Sequence, residues 1–304
     1  LWRFANDEQF THFGTSAKYI ETLMKNNVKP RANFKLKNLR TICSTGSPLS
    51  PESYDFIYKN IGPVHLASIS GGTDIVSCFV LGIPTLPVRR GEIQGPGLGM
   101  AVEIWNDTGK VKRGRRGELV CTRPFPSRPV KFWNDADRKK YYAAYFDRFK
   151  DVWAHGDFAE QTLDSGYIIH GRSDATLNPG GVRIGTAEIY RQVDRVDEVL
   201  ESIVIGQTWE NDIRIILFVK LKKGINLRET LVNTIKETIK YNCTVRHVPS
   251  KILQVNDIPR TKSGKIVEIP VRDIVHGKEV KNMEALANPE ALDFFKDRPE
   301  LALK

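Results

Sequence analysis

The sequence predicts an α/β fold followed by a smaller α+β one, and three observations predict it. Residues 39–44 and 64–69 are apolar runs of strand length that flank a helix-like segment, which is the spacing of a parallel strand–helix–strand unit. Residues 100–105 and 117–121 alternate apolar and polar side chains around the turn at 106–110, the mark of antiparallel strands. After Asp174 the pattern restarts, with a short helix at 186–193, strands at 199–205 and 213–221, an amphipathic helix at 227–241 and a strand at 251–255. The division this implies is 1–172, 173–281 and a polar surface tail at 282–304 that carries Pro289 and Pro299.

Taken in order, Ala17, Ile20, Leu23 and Met24 recur at helical spacing within 15–28, ahead of Pro30. The strand at 39–44 leads into the turn Thr45-Gly46-Ser47-Pro48. Ser50, Pro51 and Glu52 then supply a cap, a first-position proline and an early acid for a helix that stops at Gly62. The strand at 64–69 delivers Ser70-Gly71-Gly72-Thr73-Asp74 to its carboxyl end. Ligands of parallel sheets bind beyond such ends, so both turns are placed for a nucleotide. Glycines let the backbone approach a phosphate, Thr73 offers a hydroxyl, and Asp74 offers a hard oxygen suited to Mg2+.

Gly95, Gly97 and Gly99 precede a strand and open no helix, so they read as a turn and not as a dinucleotide fingerprint. The basic, aromatic stretch 131–150 reads as a half-buried helix. Asp157 is expected on a turn, where a carboxylate can accept both hydroxyls of a ribose, with Arg172 able to reach the same sugar or its phosphate. His155 is expected as a structural hydrogen-bonder. Asn178-Pro179-Gly180-Gly181 is a loop.

Composition narrows the function classes. The chain has 304 residues, 40% hydrophobic and 27% charged, with a net charge of +10. Cys43, Cys78, Cys121 and Cys243 are widely spaced and form no CxxC pair, against a zinc site or a disulfide scaffold and in keeping with a reducing cytosol. No apolar run reaches membrane-spanning length and no secretory leader is visible. The cations are spread along the chain without a zinc-finger or RNA-binding signature, which disfavours nucleic acid as a partner. The first residues are Leu1 and Trp2 in place of an initiator methionine, so an upstream portion is expected.

The run Pro259-Arg260-Thr261-Lys262-Ser263-Gly264-Lys265-Ile266 is a mobile basic turn ahead of a predicted helix, with three cations in six residues to attract phosphate or carboxylate oxygens. A Walker loop is excluded, since Pro259 stands where that motif needs glycine and Ile266 where it needs Ser or Thr. On its own the run also reads as an ordinary exposed turn.

In combination, Gly-Gly-Thr-Asp (71–74), His-Gly-Asp (155–157), Gly-Arg-x-Asp (171–174), Gly-x-Arg-Ile (181–184) and the lysine turn resemble, in order and spacing, the acyl-adenylate-forming (AMP-binding) enzymes, acyl-CoA synthetases among them. The resemblance covers about 40–276 and is strongest to members that activate acetoacetate. It implies the later part of a large domain, with a parallel sheet and a small β-barrel part, followed by a small mobile α+β domain. It also implies a two-step ligase using ATP, Mg2+, CoA and acetoacetate, with another short-chain carboxylate or a non-catalytic nucleotide- or CoA-binding fragment as alternatives. By position, Gly46, Ser47 and Pro48 would flank adenine, and Gly71, Gly72 and Thr73 would face the nucleotide phosphates. Asp74 would hold the metal, Asp157 the ribose, and Arg172 the ribose and phosphate region. Arg183 would contact phosphate, Gly180, Gly181 and Lys240 would serve CoA, Asp174 would be the hinge, and Lys265 the adenylating lysine. Gly71 stands where acetate-activating members carry tryptophan, which would enlarge the acyl pocket, and Asp74 where most relatives carry glutamate. Residues 1–40 hold no Ser/Thr/Gly-rich phosphate loop ending in lysine, so the resemblance implies a portion of the enzyme, inactive by itself.

Overall fold

The computed structural model describes residues 1–280 and 282–302; the expected boundary residue Lys281 and the last two residues of the expected tail lie outside the described residues. The chain divides into two compact units, Leu1–Ile169 and His170–Lys304.

In the first unit, α1 (Trp2–Glu8) leads to β1 (His12–Ser16), α2 (Ala17–Lys25) and the single turn α3 (Pro30–Asn33). β2 (Thr41–Thr45), α4 (Pro51–Asn60) and β3 (His65–Ser68) follow, and β1, β2 and β3 pair in that order, all parallel. The expected strand–helix–strand unit is present. Ser50 caps α4 by accepting Ser53 N–H, and Pro51 opens the helix. The expected helix at 15–28 is shorter, because 12–16 is a strand. His12, Phe13, Gly14 and Thr15 carry no apolar alternation to announce it, and only pairing with β2 extends them. Ile20, Leu23, Ile42, Tyr54, Ile57 and Leu66 form the core between helices and sheet.

β4 (Ser70–Gly72), β5 (Ser77–Leu81) and β6 (Gly95–Pro96) make a small antiparallel sheet. β7 (Val102–Asn106), β8 (Gly109–Lys110), β9 (Arg116–Cys121), β10 (Trp153–Gln161) and β11 (Tyr167–Arg172) make another, ordered β11-β10-β9-β7-β8. This sheet is open, and among the described residues no closed barrel forms where a barrel part was expected. Between β9 and β10 only Lys139–Tyr145 is helical (α5), not the whole of 131–150. Asn134 and Arg138 adopt left-handed backbone at φ 54° and 57°, which a continuous helix forbids.

The chain passes into the second unit within β11. There α6 (Thr186–Val193) precedes β12 (Val199–Trp209) and β13 (Asp212–Leu221), a long antiparallel pair, and α7 (Glu229–Asn242) leads to β14 (Lys251–Gln254), parallel to β13. One face of this sheet is covered by α6 and α7 through Ile189, Val193, Ile235 and Ile239. The other is covered by α8 (Glu268–Val275) and by the segment expected to be a surface tail. Leu286, Leu292, Phe295 and Leu301 are buried there with Ile258 and Val271, and the Phe295 ring meets Phe218 edge-on at 4.7 Å. Leu292, Phe295 and Leu301 sit in short 3-10 turns, so no helical or strand period marks the segment as core.

Candidate active site

In the first unit the two glycine turns lie beyond the carboxyl ends of parallel strands, and Ile69 N–H donates to Ser44 O at 2.9 Å to hold them side by side. Gly46 sits at φ 92° with Ser47 and Pro48 exposed beside it. Gly71 and Gly72 are packed. A Cβ on Gly71 would stand 2.2 Å from Ser77 O, and one on Gly72 would stand 2.0 Å from Asp74 Oδ1. Glycine at 71 is therefore demanded by the close backbone of β5, a constraint that needs no acyl ligand to explain it.

Asp74 Oδ1 accepts Ile75 N–H at 3.1 Å, and Oδ2 accepts the Tyr145 hydroxyl at 2.7 Å. The Tyr145 ring lies flat on Trp153, 3.6 Å between centroids. The sequence shows Tyr145 only as packing; its position at the end of a seven-residue helix gives no signal that it reaches Asp74. Asp157 is in β10 and not on a turn. The register of β10 against β9 shifts between Ala154 and Phe158, and Gly156 at φ 83° forms the bulge that turns Asp157 out of the ladder. Its Oδ2 accepts the Ser70 hydroxyl at 3.0 Å, which ties the bulge to the second glycine turn. Buried Glu118 accepts Gly156 N–H and pairs with Arg148, fixing the bulge from behind. His155 packs edge-on against Phe79 at 4.7 Å. The turns of Gly46 and of Thr73 and Asp74 are thus linked by hydrogen bonds to each other and to the bulged strand residue Asp157.

In the second unit Arg172 pairs with Asp174 at 3.5 Å, and Arg272 from α8 donates to Asp174 O at 2.9 Å. Gly180 and Gly181 turn at φ 56° and 77° with nothing near their Cβ positions, and Gly180 N–H donates to the Asp212 carboxylate at 3.0 Å. Arg183 is exposed. Lys240 is on α7, paired with Glu237 at 3.7 Å.

Lys265 is exposed on the returning arm of a small hairpin whose tip is Lys262 to Gly264, and the turn expected to be mobile is closed by hydrogen bonds. Thr261 N–H donates to Lys265 O at 2.9 Å, Gly264 N–H to Thr261 O at 2.8 Å, and Lys265 N–H to Thr261 Oγ1 at 3.1 Å. Beyond it, the Glu268 carboxyl is buried and accepts hydroxyls from Tyr190 at 3.0 Å and Thr186 at 3.3 Å. Burial pushes the Glu268 carboxyl up from its ordinary range, and burial pushes the Tyr190 phenol well up as well.

No family model matches the chain. It is 64% identical over 302 residues to the acetoacetyl-coenzyme A synthetase of Rhizobium meliloti (strain 1021), which covers 99% of the chain and 46% of that protein. The chain is a relative of the acetoacetyl-CoA synthetases. That of Gallus gallus is 47% identical over 304 residues, again 99% of the chain and 46% of the relative. The solved acetoacetyl-CoA synthetase of Streptomyces lividans superposes with a TM-score of 0.89 at 40% identity, over 97% of the chain and 46% of that protein. An anthranilate CoA ligase, at 21% identity and a TM-score of 0.71, shares the fold. The chain spans about half the length of the acetoacetyl-CoA synthetases it matches.

Proposed function

We propose that the chain is a portion of an ATP-dependent acid–thiol ligase that joins acetoacetate to CoA in the cytosol, releasing AMP and pyrophosphate through an acyl-adenylate. The observation that carries this reading is the 64% identity to an acetoacetyl-CoA synthetase across 99% of the chain. The exposed ammonium of Lys265 on a closed hairpin supports it, since a cation brought to the α-phosphate and the substrate carboxylate offsets developing charge and holds the reactants together.

In this reading Gly46, Ser47 and Pro48 flank the adenine, Gly71, Gly72 and Thr73 meet the phosphates, and the bulged Asp157 accepts the ribose hydroxyls. Arg172 and Arg183 contact sugar and phosphate, Asp174 is the hinge of the second unit, and Gly180, Gly181 and Lys240 serve CoA. Gly71 leaves room for the four-carbon acid. Among the described residues no three His, Cys, Asp or Glu side chains cluster as a metal cage. One carboxylate beside a hydroxyl-bearing turn suits Mg2+, which keeps its waters and binds through few carboxylates and substrate phosphates; Asp74 would hold it. When bound, the ion neutralises phosphate charge.

The test is AMP release from acetoacetate, ATP, Mg2+ and CoA by the 304-residue chain, beside a version extended upstream to the length of its relatives. Acetoacetate-dependent turnover in the extended protein, lost about a thousandfold in Lys265→Ala, is expected from removing one transition-state charge partner. Turnover in neither protein would overturn the reading.

A further inference from the structure

The turn that carries Lys265 is not self-supporting. Its outer strand, Arg260 to Lys262, has a second neighbour on the side away from Lys265, and that neighbour is the stretch around Leu286. Thr261 bridges Leu286 in antiparallel fashion, Lys262 N–H donates to Ala285 O at 3.1 Å, and Ala287 N–H donates to Arg260 O at 2.8 Å. Arg260 also bridges Ile266 across the hairpin. The lysine turn is therefore one edge of a three-layer ladder whose far edge is supplied by residues 285–287.

Asn288 locks that ladder. Its Oδ1 accepts Arg260 N–H at 2.8 Å, and its amide donates to Asp257 Oδ2 at 2.7 Å and to Ile258 O at 3.0 Å. Both amide hydrogens and the oxygen are used, so the side chain has one orientation. Asp257 Oδ1 in turn accepts Lys220 Nζ at 2.7 Å. Leu286, Leu292, Phe295 and Leu301, buried on the sheet, hold Asn288 in place from both sides in sequence. Nothing here is chemistry; it sets the position of the chain from Asp257 to Arg260, eight to five residues before the lysine.

We propose that Asn288 is a positioning residue for Lys265, and that the stretch from Met283 to Leu301 is a brace that holds the lysine hairpin at the geometry its reaction needs. This rests on Lys265 being the adenylating lysine, as proposed above. An ammonium on a flexible stem places its charge only as well as its Cα is placed, and small misplacements of a reacting group cost rate out of proportion to stability.

Two readouts test this, and one does not depend on the ligase reading. In the 304-residue chain, Asn288→Ala is expected to speed amide exchange at Arg260 and Lys262 by roughly tenfold, the scale of one lost buried hydrogen bond, with exchange in β12 and β13 unchanged. In whichever protein turns over, the same substitution is expected to lower kcat for acetoacetate-dependent ATP–pyrophosphate exchange about tenfold, with KM for ATP within about twofold. Should Asn288→Ala fail to fold, Ala287→Pro removes the N–H given to Arg260 O, fixing φ at that residue as well, and carries the same expectations. Unchanged exchange at Arg260 and Lys262 overturns the brace. Faster exchange with unchanged kcat overturns the positioning role. No turnover in any unsubstituted protein overturns the ligase reading instead, and the exchange result then decides the brace alone.

Discussion

Glu268 carries an acid–base property that can be read in solution. Burial holds its carboxyl above the ordinary value of 4.5 and the Asp174 charge acts in the same direction, against the hydrogen bonds from Tyr190, Thr186 and its own backbone, which favour the charged form. A native carboxyl with a raised pKa binds protons more tightly than its unfolded counterpart. Stability is then full below about pH 4.5, falls as pH rises toward the native value, and levels off above it. Glu268→Gln cannot ionise, yet its amide oxygen can accept the Tyr190 and Thr186 hydroxyls. The difference in unfolding free energy between variant and parent should therefore grow in the variant's favour from about pH 4.5 upward. Urea titrations across that range measure it, and a pH-independent difference would show that the carboxyl is not held up by its surroundings.

At the scale of elements, the parallel unit was legible because its signals are local: apolar strands, the Ser50 cap with Pro51, and glycines at the strand ends. What escaped reading was set by distant partners. β1 is a strand because β2 lies beside it, Asp157 leaves its strand because Glu118 holds the bulge at Gly156, and the stretch around Leu286 is core because the sheet face beneath it is apolar. The candidate site was legible as a set of turns, while the parts of Tyr145 and Asn288, which hold two of those turns, were not, since Tyr145 lies in no motif and Asn288 in a segment expected to be a surface tail. Gly71 shows the same contrast. The motif explains it by ligand; the fold explains it by β5, whose Ser77 carbonyl would be 2.2 Å from any Cβ. Gly71→Ala should cost about 1–3 kcal/mol through displacement of β5, before any effect on substrate choice. Thermal unfolding with and without acetoacetate measures this, and an alanine variant as stable as the parent would argue that β5 yields easily and that the acyl pocket reading of Gly71 stands alone.

At the scale of the whole molecule, the buried side chains fall into separate cores. Two belong to the first unit, around Ile42 and Ile57 and around Phe79 and Trp153; two belong to the second, on either face of β12 and β13. A core stabilises the residues packed in it, and units with cores of their own unfold as separate cooperative blocks. Ile235, fully buried between α7 and the sheet, belongs to the second unit alone. Ile235→Ala should remove about 2–5 kcal/mol from that unit through lost burial and the cavity left behind. Tryptophan emission offers a clean view of the other unit, because Trp2, Trp105, Trp133 and Trp153 all lie in the first and Trp209 alone in the second. With Trp209→Phe as background, the emission transition in urea should keep its midpoint in Ile235→Ala, while the far-ultraviolet circular dichroism transition splits and its first phase moves to lower urea. A common shift of both signals would mean that the two units unfold as one cooperative block in this chain.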